Sequence, residues 1–207
     1  AQTWVNQHIT YTHGYGVAVS PVNSFTPDGM PHFFVKDSPP VSTSETLKIS
    51  QPRIYYGELG NDYVFVKTKA DEFDYPLGDT NVLAEYDGKG GVAIDSLLKK
   101  AAFALRFSSI AILLNSDITR ESRIMYNRNI LGGGFNPGIV NRIMPLVHYD
   151  TNPYVFIDSE GRLKWIIDGY TISHTFPYSQ PYGRGETARY NYIRNSVKAV
   201  VDAYDGT

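Results

Sequence analysis

Apolar positions along the chain follow different periods in different stretches. Near the start, Gly16-Val17-Ala18-Val19-Ser20 predicts one strand. Ile54-Tyr55-Tyr56 and Tyr63 to Thr68 are β-prone runs on either side of Gly57-Glu58-Leu59-Gly60-Asn61-Asp62, a pattern that predicts a hairpin. From residue 92 the period lengthens. Ile94, Leu97, Leu98, Ala101, Ala104 and Leu105 have helical spacing and are expected to face inward. A second helix is expected from Thr119 to about Asn129. A third is expected to begin at Asn136 as N-cap, with Pro137 at its first position and Ile139, Val140, Ile143 and Met144 inward. Beyond Pro145 the pattern returns to strands. Tyr154 to Asp158, the turn Asp158-Ser159-Glu160-Gly161, and Leu163 to Ile167 predict a second hairpin. A short helix near Glu186 to Arg194 and a strand near Val197 to Tyr204 complete the series.

Strands, then helices, then strands predict an α+β fold: antiparallel hairpins packed with a central segment of about three helices, ending in a truncated strand. The expected organisation is a β-rich part over 1–91, a helical segment over 92–147, and a part over 148–207 with the hairpin, a Tyr/Pro loop, a short helix and the terminal strand. All three are expected to form one continuous domain. Within the first part, residues 20 to 52 carry Pro21, Pro27, Pro31, Pro39, Pro40 and Pro52. Phe25, Phe33, Phe34 and Val35 in that stretch suggest an arm wrapped on the surface, since a free linker has no use for them.

The chain repeats one phrase. Lys164, Asp168 and Tyr170 recur as Lys198, Asp202 and Tyr204, and Leu163, Ile166 and Ile167 recur as Val197, Val200 and Val201. Both copies are expected to be strands. The second ends at Asp205-Gly206-Thr207, a turn signal with no strand after it, which suggests a piece of a larger protein.

Composition narrows the functional classes little. Among 207 residues, 42% are apolar and 19% charged, ordinary values for a folded chain, and the net charge of −2 gives no global attraction to nucleic acid. Cysteine is absent, which removes disulfides, thiol catalysis and zinc-thiolate sites. The chain opens without a signal-peptide pattern, and its most apolar stretch, Val92 to Leu114, is broken by Asp95, Lys99, Lys100 and Arg106.

Six phrases, in order along the whole chain, carry a resemblance. They are Asn6-Gln7-His8-Ile9-Thr10-Tyr11-Thr12-His13-Gly14-Tyr15-Gly16; Phe33-Phe34-Val35-Lys36-Asp37 followed by Pro39-Pro40; Arg53-Ile54-Tyr55-Tyr56-Gly57-Glu58; Glu72-Phe73-Asp74-Tyr75-Pro76; Trp165 to Thr171 with Pro177-Tyr178-Ser179; and Asn191 to Lys198 with Val201-Asp202-Ala203-Tyr204. Together they resemble uncharacterised protein family 0182, bacterial multi-spanning membrane proteins with a large extracytoplasmic region. The resemblance implies an interior slice of that region and a parent protein in the cell membrane. It implies the rest of the parent chain as a partner, with membrane contact only through the parent's other segments. It supplies no activity and no catalytic residues. One departure is that Ser173-His174-Thr175-Phe176 stands where the family has a different tetrad before Pro177-Tyr178-Ser179.

Read residue by residue, candidate chemistry is sparse. His8 and His13 lie five apart in a stretch read as extended, which would put them on opposite faces, and no H-E-x-x-H exists. Asp62, Asp71, Glu72, Asp74 and Asp79 are acidic but lack the order of a calcium loop. Asp158 is expected in a hairpin turn, and Asp168 and Asp202 at strand ends. No catalytic, cofactor-binding or metal-binding residue is assigned, and no nucleic-acid motif is present. The expected contact residues are Tyr170, Tyr178 and Tyr182 in the Tyr/Pro loop, and Arg120 with Arg123 on one face of the second helix. The expected function is a structural or interaction domain, with partners in the parent chain, in envelope material or in another protein. The alternative is an envelope-polymer hydrolase or a glycan-binding module, the hydrolase drawing carboxylates from Asp158, Asp168 and the 71–74 cluster.

Overall fold

In a computed structural model, residues 3–60, 62–133, 136–182 and 190–207 are described. The chain is mostly strand and loop, with 15% helix and small antiparallel sheets. The expected α+β fold with a central helical segment over 92–147 is therefore overturned. One helix of substance, Leu97–Arg106, stands where three were expected.

The second expected helix is replaced by the strand Arg123–Met125, the centre of a three-stranded sheet between Val64–Val66 and Val92–Ala93. Two local causes favour the strand. The side chains of Thr119 and Ser122 bond the backbone N–H groups of Glu121 and Thr119, which competes with helix formation. Ile124 and Met125 are both fully buried but enter different clusters, as successive strand residues do. The third expected helix shrinks to Ile139–Ile143 with Gly138 as N-cap, and Asn136–Pro137 instead pairs with Gly132–Gly133.

Leu97–Arg106 forms as expected, with Ser96 as N-cap accepting the Lys99 N–H, but of the set expected inward only Ile94 and Ala104 are buried. Phe103, Ala104 and Phe107 pack with Ile9, Phe65, Ile94, Ile112, Ile118 and Ile124. Leu97, Leu98 and Leu105 are 76%, 82% and 84% exposed. Phenylalanine offers the inner cluster more area than leucine does, and rings of Tyr63 and Tyr126 stand ready to receive it.

The predicted hairpin over 54–68 does not form. Arg53–Ile54 pairs with Gly14–Tyr15, and Val64–Val66 pairs with Arg123–Met125. A hairpin appears instead in the acidic stretch after it: Glu72–Leu77 with Thr80–Ala84, turning at Gly78 with φ of +59°. The hairpin of Tyr154–Ile157 with Leu163–Ser173 forms as predicted, with Asp158 Oδ1 accepting the Glu160 and Arg162 N–H groups in its turn. The proline-rich arm is held at Val35, fully buried and bridged to Val19, and at Ser50, bonded to Glu160 and Gly161. Phe25 stays 77% exposed, contrary to its expected wrapping role.

The repeated phrase explains the largest sheet. Leu163–Ser173 and Tyr192–Asp202 are strands and pair with each other antiparallel. Lys164 lies opposite Asp202, and Asp168 opposite Lys198, so each copy presents its lysine to the other's aspartate position. Lys198 and Asp168 form an ion pair, whereas Lys164 turns to Asp158 and Asp202 to Arg162. The other edge of Leu163–Ser173 carries Tyr154–Ile157 and His148–Tyr149, while the outer edge of Tyr192–Asp202 has no strand partner among the described residues. The short helix expected near 186–194 falls partly outside the described residues, and its last residues, Tyr192 to Arg194, belong to this strand.

The closing turn is part of the core. Ala203 and Tyr204 are buried, and the Ala203 carbonyl accepts the N–H groups of Tyr55 and Tyr56. Tyr204 packs edge-on to Tyr55 and beside Tyr86. Its hydroxyl donates to Asp87 at 2.5 Å, and Tyr86 donates to Asp205 at 2.5 Å.

Candidate functional site: a histidine between two buried carboxylates

The densest cluster of ionisable side chains joins three distant segments. Thr12 and His13 come from the segment just before the strand Gly14–Tyr15. Arg53 begins the strand that pairs with it, and Tyr55 follows that strand. Glu72 and Asp74 lie on the hairpin strand Glu72–Leu77. Glu72 and Asp74 lie on either side of Phe73 at a bulge in that strand, and both are buried. The imidazole of His13 stands between them, with Nε2 at 3.1 Å from Asp74 Oδ1 and Nδ1 at 3.4 Å from Glu72 Oε2. Thr12 donates its hydroxyl to Glu72, and Tyr55 donates to the same oxygen at 2.8 Å. Arg53 grips Asp74 with a fork of 2.9 and 2.8 Å. Glu72 Oε1 has no partner although it is shut away from solvent.

The electrostatics follow from burial and pairing. Burial pushes the Asp74 carboxyl up, but hydrogen bonds from Arg53 and His13 outweigh it and hold the group below its ordinary range. The Asp74 hydrogen bonds raise the Arg53 guanidinium further. Burial, then the Glu72 charge, keep the Tyr55 hydroxyl protonated far beyond its ordinary range. The side chains of His13, Glu72 and Asp74 are between 0% and 3% exposed. Among the described residues no group of three His, Cys, Asp or Glu side chains is placed to hold a metal ion. The cluster ties three segments together through charge-assisted hydrogen bonds.

Beside the cluster lies a cavity of about 310 Å³, lined by Tyr11 to Gly14, Ile54, Tyr55, Gly57 to Gly60, Arg128 and Trp165. Arg128, 9% exposed, donates to the carbonyls of Thr12, Tyr55 and Asp62 at 2.6, 3.1 and 3.1 Å. Burial lowers its pKa to about 10, which still leaves it charged at neutral pH.

The whole of residues 1–207 matches the family model described as Uncharacterised protein family (UPF0182). The chain belongs to UPF0182. It is similar to UPF0182 proteins of Pelobacter propionicus, 53% identical over 207 residues, of Sulfurovum sp., 52% over 207, and of Trichlorobacter lovleyi, 50% over 206. All of this chain is covered in each case, but it spans only 22% of the length of those relatives. No solved structure matches the chain.

The UPF0182 structure places the sequence-derived candidates as follows. Tyr178 and Tyr182 are 109% and 89% exposed, on a loop whose start is clamped by Asn191 bonding Phe176 and Ser179. Tyr170 is half-buried and donates to Asp150 at 3.4 Å. Arg120 is exposed, but Arg123 sits on a strand and donates to the carbonyls of Lys89, Gly90 and Gly91, so the shared helical face does not exist. His8 lies in the helical turn Asn6–Thr10, not in an extended stretch, and stacks on Tyr63 at 4.1 Å. Asp158 and Asp168 are held by Lys164 and Lys198 on the hairpin and the sheet. The reading of single residues missed the role of Thr12, His13, Arg53, Tyr55, Glu72 and Asp74 as one unit. A signal was available: three of the six phrases carrying the resemblance meet in this network.

Among the described residues, no helix is long and apolar enough to cross a membrane.

Proposed function

We propose that these residues form a non-catalytic packing and contact module in the extracytoplasmic region of a larger, membrane-anchored UPF0182 protein. The observation carrying this reading is an inversion of the usual distribution on one face. Ionisable groups are drawn inward to hold the fold, while Leu97, Leu98, Leu105, Ile110 and Leu114 stand between 70% and 84% exposed on neighbouring short helices. So large an apolar face is a normal mark of a contact surface. The relatives are several times longer than this chain, so the rest of the parent is the natural occupant. Membrane anchorage and the side of the membrane rest on the family resemblance.

The test uses the full-length protein. A benzophenone-maleimide attached to a cysteine placed at Leu114 should photo-cross-link to another part of the same chain, and Leu98→Glu with Leu105→Glu should abolish the cross-link without unfolding residues 1–207. Cysteine at Tyr178 should react with a membrane-impermeant maleimide in intact cells. Protection until the cells are permeabilised would overturn the extracytoplasmic placement.

A second reading has its own observation. The exposed rings of Tyr178 and Tyr182 on the clamped loop suit stacking against a sugar face or an extended peptide. Titration with muropeptides or teichoic-acid fragments should shift tyrosine signals of this loop, and no shift at saturation would remove it. The hydrolase alternative is weakened by carboxylates that are either sealed in the His13 cluster or held by lysines.

A further inference from the structure

We propose that the cavity beside Arg128 is a binding site for a small organic carboxylate with a flat apolar body. Arg128 is a buried guanidinium that enters no ion pair among the described residues. Three backbone carbonyls occupy its Nε and Nη1, and its Nη2 makes no hydrogen bond among the described residues. Among the described residues, the sealed side-chain atoms without a hydrogen bond include no atom of Arg128, so Nη2 is not among those shut away. Arg128 is one of the residues lining the cavity.

Asp62 and Glu72 act on this buried cation only from beyond ion-pair distance, so an anion that pairs with it directly gains a charge-assisted bond out of water. Carbonyl partners fix the guanidinium in place, so an incoming carboxylate meets a donor already oriented. The rest of the wall selects the body of the ligand. Tyr11, Ile54, Tyr55 and Trp165 supply apolar and aromatic surface. Trp165 is held by its indole N–H on the Tyr56 carbonyl at 2.9 Å, which keeps that ring in one orientation. The volume of about 310 Å³ is at the low end for ligand sites, room for a single ring with a short acid arm. Exposed Glu58 on the lining adds a negative charge, which disfavours a dianionic phosphate relative to a monoanion.

The test is photolabelling of the full-length protein with 4-azidobenzoate, followed by digestion and mass mapping of the adducts. The expected result is labelling within residues 11–14, 54–60 or at Trp165, competed by benzoate and not by neutral benzamide. Glu58→Gln, an exposed change that leaves the fold intact, should raise labelling at low probe by roughly twofold, the effect of one solvent-screened charge. Arg128→Lys keeps a charge but loses the fork, and should lose benzoate competition while near-ultraviolet circular dichroism reports whether the fold is kept. Benzamide competing as well as benzoate would reduce the cavity to an apolar cleft and overturn the proposal. So would adducts elsewhere, lower labelling in Glu58→Gln, or inorganic phosphate competing better than benzoate. None of these outcomes bears on the leucine face, so the site can fail while the contact-module reading stands.

Discussion

Tyr55→Phe isolates the contribution of the buried network. The Tyr55 ring is 1% exposed and packs against His13, Tyr86 and Tyr204, contacts a phenylalanine would keep. Only the hydroxyl is lost, and it donates to Glu72 Oε2 at 2.8 Å. Glu72 is 1% exposed and its other oxygen already lacks a partner, so no water replaces the lost donor. A hydrogen bond to a buried charge contributes about 1.5–3 kcal/mol. The substitution should therefore lower the unfolding free energy by about that much, a fall in midpoint on the order of 3–12 °C for a chain of this size. Denaturant unfolding followed by far-ultraviolet circular dichroism measures it. Because burial and Glu72 keep the hydroxyl protonated well beyond its ordinary value of 10.0, the loss should be constant from about pH 6 to pH 9. A double-mutant cycle with Glu72→Gln should show coupling of about 1 kcal/mol or more, since the hydroxyl then serves a neutral amide. A loss below about 0.5 kcal/mol, or additivity with Glu72→Gln, would refute the claim that this network holds the three segments together.

Further outcomes follow from the same geometry. Asp74 is held below its ordinary value of 3.8, so the stability it contributes is present above that pH and fades as pH falls through the depressed folded value. Arg53→Gln removes a main cause of the depression, and acid unfolding followed between pH 2 and 6 should then begin at higher pH. An unchanged acid limb would show Arg53 to be a bystander. Gly91 has φ of +72° and a Cβ there would sit 2.7 Å from the Ile124 carbonyl oxygen, so Gly91→Ala should cost on the order of 3 kcal/mol or more, read from its unfolding midpoint. Gly29→Ala, with φ of +77° and no atom within 4 Å, should cost only roughly 1–2 kcal/mol. Equal costs would mean the close approach to Ile124 does not matter. Exchanging Asp168→Lys with Lys198→Asp should recover at least half of what either single change loses, because the pair is cross-strand and partly exposed; thermal melts of the three variants test this.

Local chemistry determined a definite part of this structure. The hairpin around Asp158-Ser159-Glu160-Gly161 forms because a turn of αL-permissive and side-chain-capping residues lies between two β-branched or aromatic runs, all within about 20 residues. Ser96 starts a helix by supplying an acceptor to a free N–H, which needs no distant partner. The repeated Lys-x-x-x-Asp phrase was legible as two strands. That the copies pair with each other depended on the intervening chain doubling back, which a repeat alone does not encode. Tertiary context decided the rest. Thr119 to Asn129 has apolar spacing compatible with a helix, but burial of Ile124 and Met125 on opposite sides of one sheet demands a strand. Leu97, Leu98 and Leu105 have core-facing spacing, yet Phe103 and Phe107 took the inner side because neighbouring rings were there to meet them. The His13 network joins residues up to 61 apart in sequence, and a charge acquires its value only from the partners and burial around it. Residue identity showed which side chains could carry charge; only the fold decided that Glu72, Asp74 and Arg128 would do so out of water.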